Sequence, residues 1–102
     1  MIQKSCGEKA VSRVVYRVHA LQRMFERNIS PAVVEAVIQG GAIIERYPDD
    51  TPYPSRLLLG WEGRRPVHVV VADNPAEDQV IVITVYEPDP RRWDATFSRR
   101  KL

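Results

Sequence analysis

The chain has 102 residues, of which 44% are hydrophobic and 27% charged, and its formal net charge is +2. This composition is typical of a globular domain and excludes a disordered, collagen-like or coiled-coil chain. The length predicts one domain over residues 1–102 with a modest single core. The lone cysteine, Cys6, can form no intramolecular disulfide and cannot hold zinc by itself. Because no apolar stretch is long enough to span a bilayer and no signal peptide is recognisable, we expect a cytoplasmic protein without a membrane partner.

Basic residues are concentrated at the two ends of the chain. Residues 1–27 carry a balance of +4, residues 28–90 one of −6, and residues 91–102 again one of +4. Twelve of the fifteen cations are arginines, whose planar guanidinium groups bind phosphate in two places at once. If the two ends meet in space, they form a patch that attracts a polyanion; otherwise they are solvated side chains that keep a small protein soluble. The pattern permits a nucleic-acid partner without requiring one.

Residues 1–10 are expected to be flexible. The spacing of the valines in Val11–Val18 also fits a helix, but their β-branched side chains favour the extended stretch that we predict, and a helix follows over His19–Arg27. The side chains that recur at helical spacing and are expected to face the core are Val18, Leu21, Met24 and Phe25. A separate polar stripe consists of His19, Arg23 and Arg27 at i, i+4 and i+8. Such a stripe is usually the solvated side of a helix. Asn28 can end the helix in a left-handed conformation.

Ser30-Pro31 predicts the start of a second helix that runs to about Gln39, because serine caps helix N-termini and proline suits the first turn. Its expected buried residues are Val33, Val34, Val37 and Ile38. The pattern then becomes extended, and four strands are predicted at Ala42–Tyr47, Arg56–Glu62, Val67–Asp73 and Gln79–Glu87. Short connections join antiparallel neighbours. We therefore predict an α+β fold of two layers, with the two helices on a four-stranded antiparallel sheet, followed by a basic tail over residues 94–102.

Alternation along the predicted strands places His68, Thr84 and Tyr86 on the sheet face away from the helices. Hairpin loops centred on Arg64 and Ala76 would set His68 opposite Thr84 and beside Gly60, whose missing side chain leaves an open notch. Arg56 is expected on the same face. Histidine, tyrosine and arginine together can move a proton and stabilise a charged phosphoryl group. The alternative is that His68 and Tyr86 are half-buried residues satisfied by their neighbours.

No spacing typical of a metal site occurs, because His19 and His68 lie far apart without a cysteine or carboxylate partner at ligand spacing. No glycine-rich phosphate loop, nucleophile elbow or paired-acid motif is present either. We therefore expect neither a metal nor any other cofactor.

Several segments together resemble a bacterial family of unknown function, DUF4258. The resemblance begins with His19–Ser30 and covers about residues 15–93; its other segments are Gly41–Glu45, Leu57–Gly60, Arg65–Val70 and Ile83–Pro88. Asn28 stands where glycine is usual and is compatible with the same left-handed turn. Members of this family resemble small RelE-type proteins, a group that includes ribonuclease toxins, and some are encoded beside antitoxins with a zinc finger and a helix-turn-helix. The family's signature positions correspond here to His19, Arg23, Arg27, His68 and Tyr86.

The resemblance implies a RelE-like core over residues 11–93 and an endoribonuclease toxin that cleaves RNA by attack of a 2′-hydroxyl without a metal. Catalytic candidates are His68, Tyr86, Arg23, Arg56 and His19. Substrate-binding candidates are Thr84, Arg27, Arg91, Arg92, Arg99, Arg100 and Lys101. The expected partners are RNA, with the ribosome as one setting, and a cognate antitoxin. The alternative is a non-catalytic module of the same fold that binds a protein or nucleic acid through an exposed Trp61 or Trp93 beside the basic tail.

Overall fold

The computed structural model describes residues 13–102, so the expectation of flexibility for residues 1–10 lies outside the described residues. The described chain folds into two helices and a five-stranded sheet. The elements are β1 (Arg13–Tyr16), α1 (Val18–Arg27), α2 (Pro31–Gly40), β2 (Ala42–Tyr47), β3 (Ser55–Glu62), β4 (Arg65–Asn74) and β5 (Gln79–Tyr86). The two predicted helices and four predicted strands are confirmed to within two residues at each end.

The predicted four-stranded antiparallel sheet is wrong, because the sheet has five strands in the order β1-β5-β4-β3-β2 and is mixed. The short β1 pairs in parallel with β5, with Val14 opposite Val80 and Tyr16 opposite Val82. The other neighbours are antiparallel. Hairpin reasoning joins only strands that follow one another in sequence, so it left the extended Val11–Val18 segment without a partner. The fold is α+β with a dominant sheet.

Helix α1 turns a different side to the sheet from the predicted one. Its buried side chains are Ala20 and Met24, while the stripe expected to be buried is open to solvent, with Phe25 89% exposed. Val18 and Leu21 are exposed as well. Ala20 and Met24 are four residues apart and so share one face, where the small alanine lets the helix approach β5 closely. As predicted, Asn28 ends α1 in a left-handed conformation, with φ of 55°.

The guanidinium of Arg65 fixes the end of α1 against the sheet. It donates hydrogen bonds to the carbonyl oxygens of Arg27 and Asn28, which have no partner within the helix. The same guanidinium lies 3.2 Å from a carboxylate oxygen of Glu62 and 3.3 Å from one of Glu87. A cation at a helix C-terminus also complements the helix dipole. One side chain therefore connects α1, the β3–β4 hairpin and the end of β5.

Helix α2 begins as predicted, because the Ser30 hydroxyl accepts a hydrogen bond of 3.2 Å from the backbone N–H of Val33. It packs across β3 and β4 and buries Val34 and Val37. The prediction of an open notch beside His68 at Gly60 is wrong, because Gly60 lies opposite Val67 and faces α2. A Cβ placed on Gly60 would lie 2.5 Å from Cγ2 of Val37, so this glycine is the point where α2 contacts the sheet.

Replacing Gly60 with alanine is expected to lower the free energy of unfolding by about 1–3 kcal/mol, because the added methyl group must displace Val37 or the whole of α2. The measurement is the urea midpoint at unchanged slope. Gly40→Ala is the matched control: a Cβ at Gly40 meets nothing within 4 Å, so the midpoint should stay the same or rise slightly. Equal midpoints for Gly60→Ala and the wild type would contradict this packing.

Candidate functional site

The predicted basic tail folds back as a hairpin over the sheet face opposite the helices. Trp93 and Arg100 form an antiparallel bridge, and the N–H of Lys101 donates to the carbonyl of Arg92 at 2.8 Å. The carboxylate of Asp94 accepts hydrogen bonds from within the turn, from the hydroxyl of Thr96 among others. We call residues 92–101 the C-terminal hairpin. The trailing residues are therefore a folded part of the domain.

The C-terminal hairpin is anchored on His68, which β4 projects from the face opposite the core valines. The imidazole is completely buried. Its Nε2 lies 2.9 Å from the carbonyl oxygen of Phe97, and its Nδ1 lies 3.2 Å from the hydroxyl of Tyr86. Because a carbonyl only accepts, Nε2 carries the proton, and Nδ1 accepts from Tyr86. The ring of Trp93 packs edge-on against the imidazole at 4.5 Å between centroids.

These surroundings keep His68 neutral. Burial lowers the pKa of His68 below its ordinary value of 6.5, and the nearby Arg100 acts in the same direction. The Phe97 carbonyl and Glu45 oppose this effect without outweighing it. Burial likewise raises the pKa of Tyr86 above 10, so its hydroxyl stays protonated and able to donate. Both ring nitrogens of His68 are therefore occupied, and no face of the ring is accessible to a substrate.

Arg100 connects the C-terminal hairpin to the edge strand β2. Its guanidinium carbon lies 4.8 Å above the ring of Trp93, within the range of a cation–π contact. Its Nε lies 3.6 Å from a carboxylate oxygen of Glu45 on β2. The same carboxylate accepts a hydrogen bond of 2.5 Å from the hydroxyl of Tyr47, whose pKa is raised to about 12 by burial and by Glu45. Arg100 is thus engaged with Trp93 and Glu45 within the fold, although its side chain is still largely exposed.

The strand register around His68 differs from the predicted one. His68 lies opposite Tyr86 and Leu59, whereas Thr84 lies opposite Val70 and Gly60 opposite Val67. The β3–β4 loop contains only Gly63 and Arg64, which shifts that pairing by one residue. The pairing of β4 with β5 is shifted by one residue because their loop has four residues, and by a second residue because β5 contains a bulge. His68 and Tyr86 are therefore direct neighbours, closer than the predicted diagonal, and Thr84 is half-buried two pairs further along.

Arg56 does not join His68. It alternates with Leu58 and Gly60 on the face covered by the helices, where it pairs with Asp73. The expectation that Arg56 shares the face of His68 is wrong. Arg56 and His68 therefore project from opposite faces of the sheet.

The three α1 candidates lie apart from the His68 cluster. His19, Arg23 and Arg27 are all exposed, and Arg23 lies 3.6 Å from a carboxylate oxygen of Glu26. Within residues 13–102, no hydrogen bond or ion pair connects these three side chains with His68 or Tyr86. The structure thus separates the candidates into an exposed helical stripe and a buried cluster.

The outward side of the C-terminal hairpin carries cations. Trp93 and Arg100 point toward the sheet, so alternation turns Arg92, Arg99 and Lys101 outward, and all three are exposed. In the part of the chain that the structure describes, none of the three has an ion-pair partner. Arg91, by contrast, lies 3.2 Å from a carboxylate oxygen of Asp89. The free cations form what we call the basic surface, defined by Arg92, Arg99 and Lys101.

Sequence reasoning missed the residues that close the site. Trp93 is only 4% exposed and packs on His68, whereas a binding role would need it accessible; Trp61 remains half-exposed. Glu45 and Phe97 were not singled out, although Glu45 holds Arg100 and Phe97 supplies the carbonyl that binds His68. The sequence did contain a signal that this charged tail folds: it includes two aromatic residues, Trp93 and Phe97, whose large apolar rings favour burial against other side chains.

The described residues hold neither a group of metal-ligating side chains nor a membrane-spanning helix. Over residues 13–102, no three side chains among histidine, cysteine, aspartate and glutamate are grouped as metal ligands would be. Neither described helix, α1 or α2, has the length and apolar composition needed to cross a bilayer.

Comparison with known proteins gave one match. The profile of a family described as a domain of unknown function, DUF4258, matches residues 16–87, which include both helices and β2 to β5. No curated protein and no solved structure matches the sequence. The C-terminal hairpin lies beyond the matched residues.

The stability of the fold is expected to fall as the pH is lowered from 7.5 to 5.5. The pKa of His68 is lower in the folded chain than in the unfolded chain, where it is near 6.5, so acid protonates the unfolded state preferentially. The stabilisation is complete above the unfolded pKa and is lost as the pH falls toward the folded value. The measurement is the urea midpoint at both pH values.

Two glutamine variants identify the histidine responsible, because glutamine keeps a donor and an acceptor but does not titrate. His68→Gln should lose most of the difference between the two pH values. His19→Gln, which removes the exposed histidine, should retain it. A pH dependence that disappears with His19→Gln and persists with His68→Gln would disprove the assignment.

Proposed function

The chain belongs to the DUF4258 family, and from this starting point we propose that it is a RelE-like RNA-binding protein that contacts the RNA backbone through the basic surface. The observation that supports the proposal is a set of three exposed cations on one side of the C-terminal hairpin, none of which has an ion-pair partner among residues 13–102. Arginine and lysine neutralise phosphates, and this contact supplies most of the affinity of non-specific RNA binding.

The inner side of the C-terminal hairpin supports the same proposal. His68, Trp93 and Arg100 hold the hairpin to the sheet through a hydrogen bond, ring packing and an ion pair with Glu45. A hairpin that is fixed before binding loses little conformational freedom when it contacts RNA. In this proposal His68 is a positioning residue, which keeps the cations in place and does not touch the RNA.

The double variant Arg92→Gln/Lys101→Gln should weaken binding of a single-stranded RNA about tenfold at low salt. Each lost phosphate contact also lowers the salt dependence of log K by about 0.7 for single strands, so the slope should become shallower by about 1.4. Fluorescence anisotropy over a series of KCl concentrations measures both quantities.

The matched control is Arg13→Gln/Arg17→Gln, which removes the same charge from exposed positions on the opposite edge of the sheet. It should leave the slope unchanged. Equal losses for the two double variants would mean that net charge alone attracts RNA, and the proposal for a defined surface would fail. No measurable RNA binding by the wild type would also end it.

A second candidate function is the metal-independent endoribonuclease toxin. Its support is the contact between His68 and Tyr86, because an imidazole can move a proton and a phenolic hydroxyl can donate a hydrogen bond to a phosphoryl oxygen. In that reaction His68 takes the proton of the 2′-hydroxyl, and the oxygen attacks the adjacent phosphorus. The bond between phosphorus and the 5′-oxygen breaks, a 2′,3′-cyclic phosphate forms, and the leaving 5′-oxygen takes a proton from water. The C-terminal hairpin covers His68, so this mechanism requires the hairpin to lift.

The toxin candidate predicts that opening the C-terminal hairpin accelerates cleavage. Trp93→Ala, which removes the ring packed on His68, should cleave RNA faster than the wild type, and Trp93→Ala/His68→Ala should not cleave. Product bands on a denaturing gel and growth after induction are the measurements. Equal cleavage by the single and the double variant would exclude His68 as the base.

A protein partner and a cytoplasmic location remain part of the toxin proposal. The exposed stripe of Val18, Leu21 and Phe25 on α1 supports a partner such as a cognate antitoxin, because large apolar side chains on a helix surface favour contact with another protein. RNA as the target favours the cytoplasm.

A further inference from the structure

A cavity of about 370 Å³ lies between the end of α2 and the edge of the sheet. Strand β2 begins at Ala42 opposite Leu59, so the following residues of β3, from Gly60 onward, have no strand beside them on this edge. Gly40 at the end of α2 contributes no side chain, and a Cβ there would meet nothing within 4 Å, so this side of the space is open. The volume lies within the range of about 300–1,000 Å³ that is usual for ligand pockets.

We propose that this cavity binds one unstacked base of a single-stranded RNA. This inference rests on the proposed RNA-binding function and adds a site for the base to the surface that holds the backbone. Trp61 lines the cavity and is half-exposed, and an indole offers a flat π face on which any base can stack. The other lining residues are small or aliphatic, among them Ala36, Val37 and Leu59, and suit the apolar faces of a base.

The position of the cavity next to the C-terminal hairpin favours RNA as the occupant. The ring of Trp61 packs edge-on against Phe97, with 5.9 Å between centroids. Phe97 precedes Arg99 of the basic surface by two residues. A backbone bound along the basic surface can therefore place a base at Trp61. The cations of the basic surface would thus meet the phosphates of the RNA, and the apolar cavity would meet the base.

The cavity can be filled without disturbing the fold. Ala36 lines it from α2, and a Cβ at Gly40 would meet nothing within 4 Å. Ala36→Leu and Gly40→Leu therefore place a larger side chain in or beside the space that the base would occupy. Ala32→Leu makes the same alanine change on an exposed position one helical turn away, outside the cavity, and is the matched control.

The experiment compares an eight-residue oligouridylate with an abasic oligomer of the same length and charge. The wild type and Ala32→Leu should bind the oligouridylate about tenfold more tightly than the abasic oligomer, because stacking acts only on the former. Ala36→Leu and Gly40→Leu should bind both oligomers with the affinity that the wild type has for the abasic one. Urea midpoints of all variants establish that each is folded.

The outcomes separate this inference from the proposed function. Equal affinity of the wild type for both oligomers would overturn the base site and leave backbone binding intact. A full tenfold preference retained by both filled variants would also overturn it, since the base must then bind elsewhere. Absence of binding to either oligomer would defeat the proposed function itself, and the cavity would then fit a side chain of a protein partner better than a base.

Discussion

The arrangement of this protein depends on one neutral imidazole between the sheet and the C-terminal hairpin. His68 uses both ring nitrogens within the fold, one toward Phe97 and one toward Tyr86. Its burial would be costly for a charged ring and is tolerable for a neutral one with both nitrogens satisfied. Because this contact fixes the C-terminal hairpin, it determines where Arg92, Arg99 and Lys101 are presented and which residues lie beside Trp61.

The elements were predictable from the sequence, but the sheet they form was only partly so. Period-two alternation and the prolines between strands predicted β2 to β5 closely. The parallel pairing of β1 with β5 joins segments more than sixty residues apart, and no local pattern carries that information. The register around His68 depends on the length of two loops and on a bulge in β5, where a single residue changes every opposing pair.

The candidate site shows the same limit. Alternation correctly placed His68 and Tyr86 on one face, since that requires only the phase of each strand. It could not show that residues 92–101 cover this face, because a charged segment at the end of a chain usually stays solvated. The predicted orientation of α1 was wrong for a related reason. The most hydrophobic side of that helix, with Phe25, is exposed, while the smaller Ala20 allows the close packing that buries Met24.

The acceptor for His68 is a main-chain oxygen, and this has a consequence for how the protein can vary. Any residue at position 97 brings a carbonyl, so the contact does not constrain the side chain there, apart from the left-handed backbone with φ of 60°. It constrains instead the number of residues between the bridge at Trp93 and the carbonyl. The side chains of this turn serve other contacts, such as that of the Phe97 ring with Trp61. Relatives that keep the imidazole should therefore preserve the length of the turn even where those side chains change.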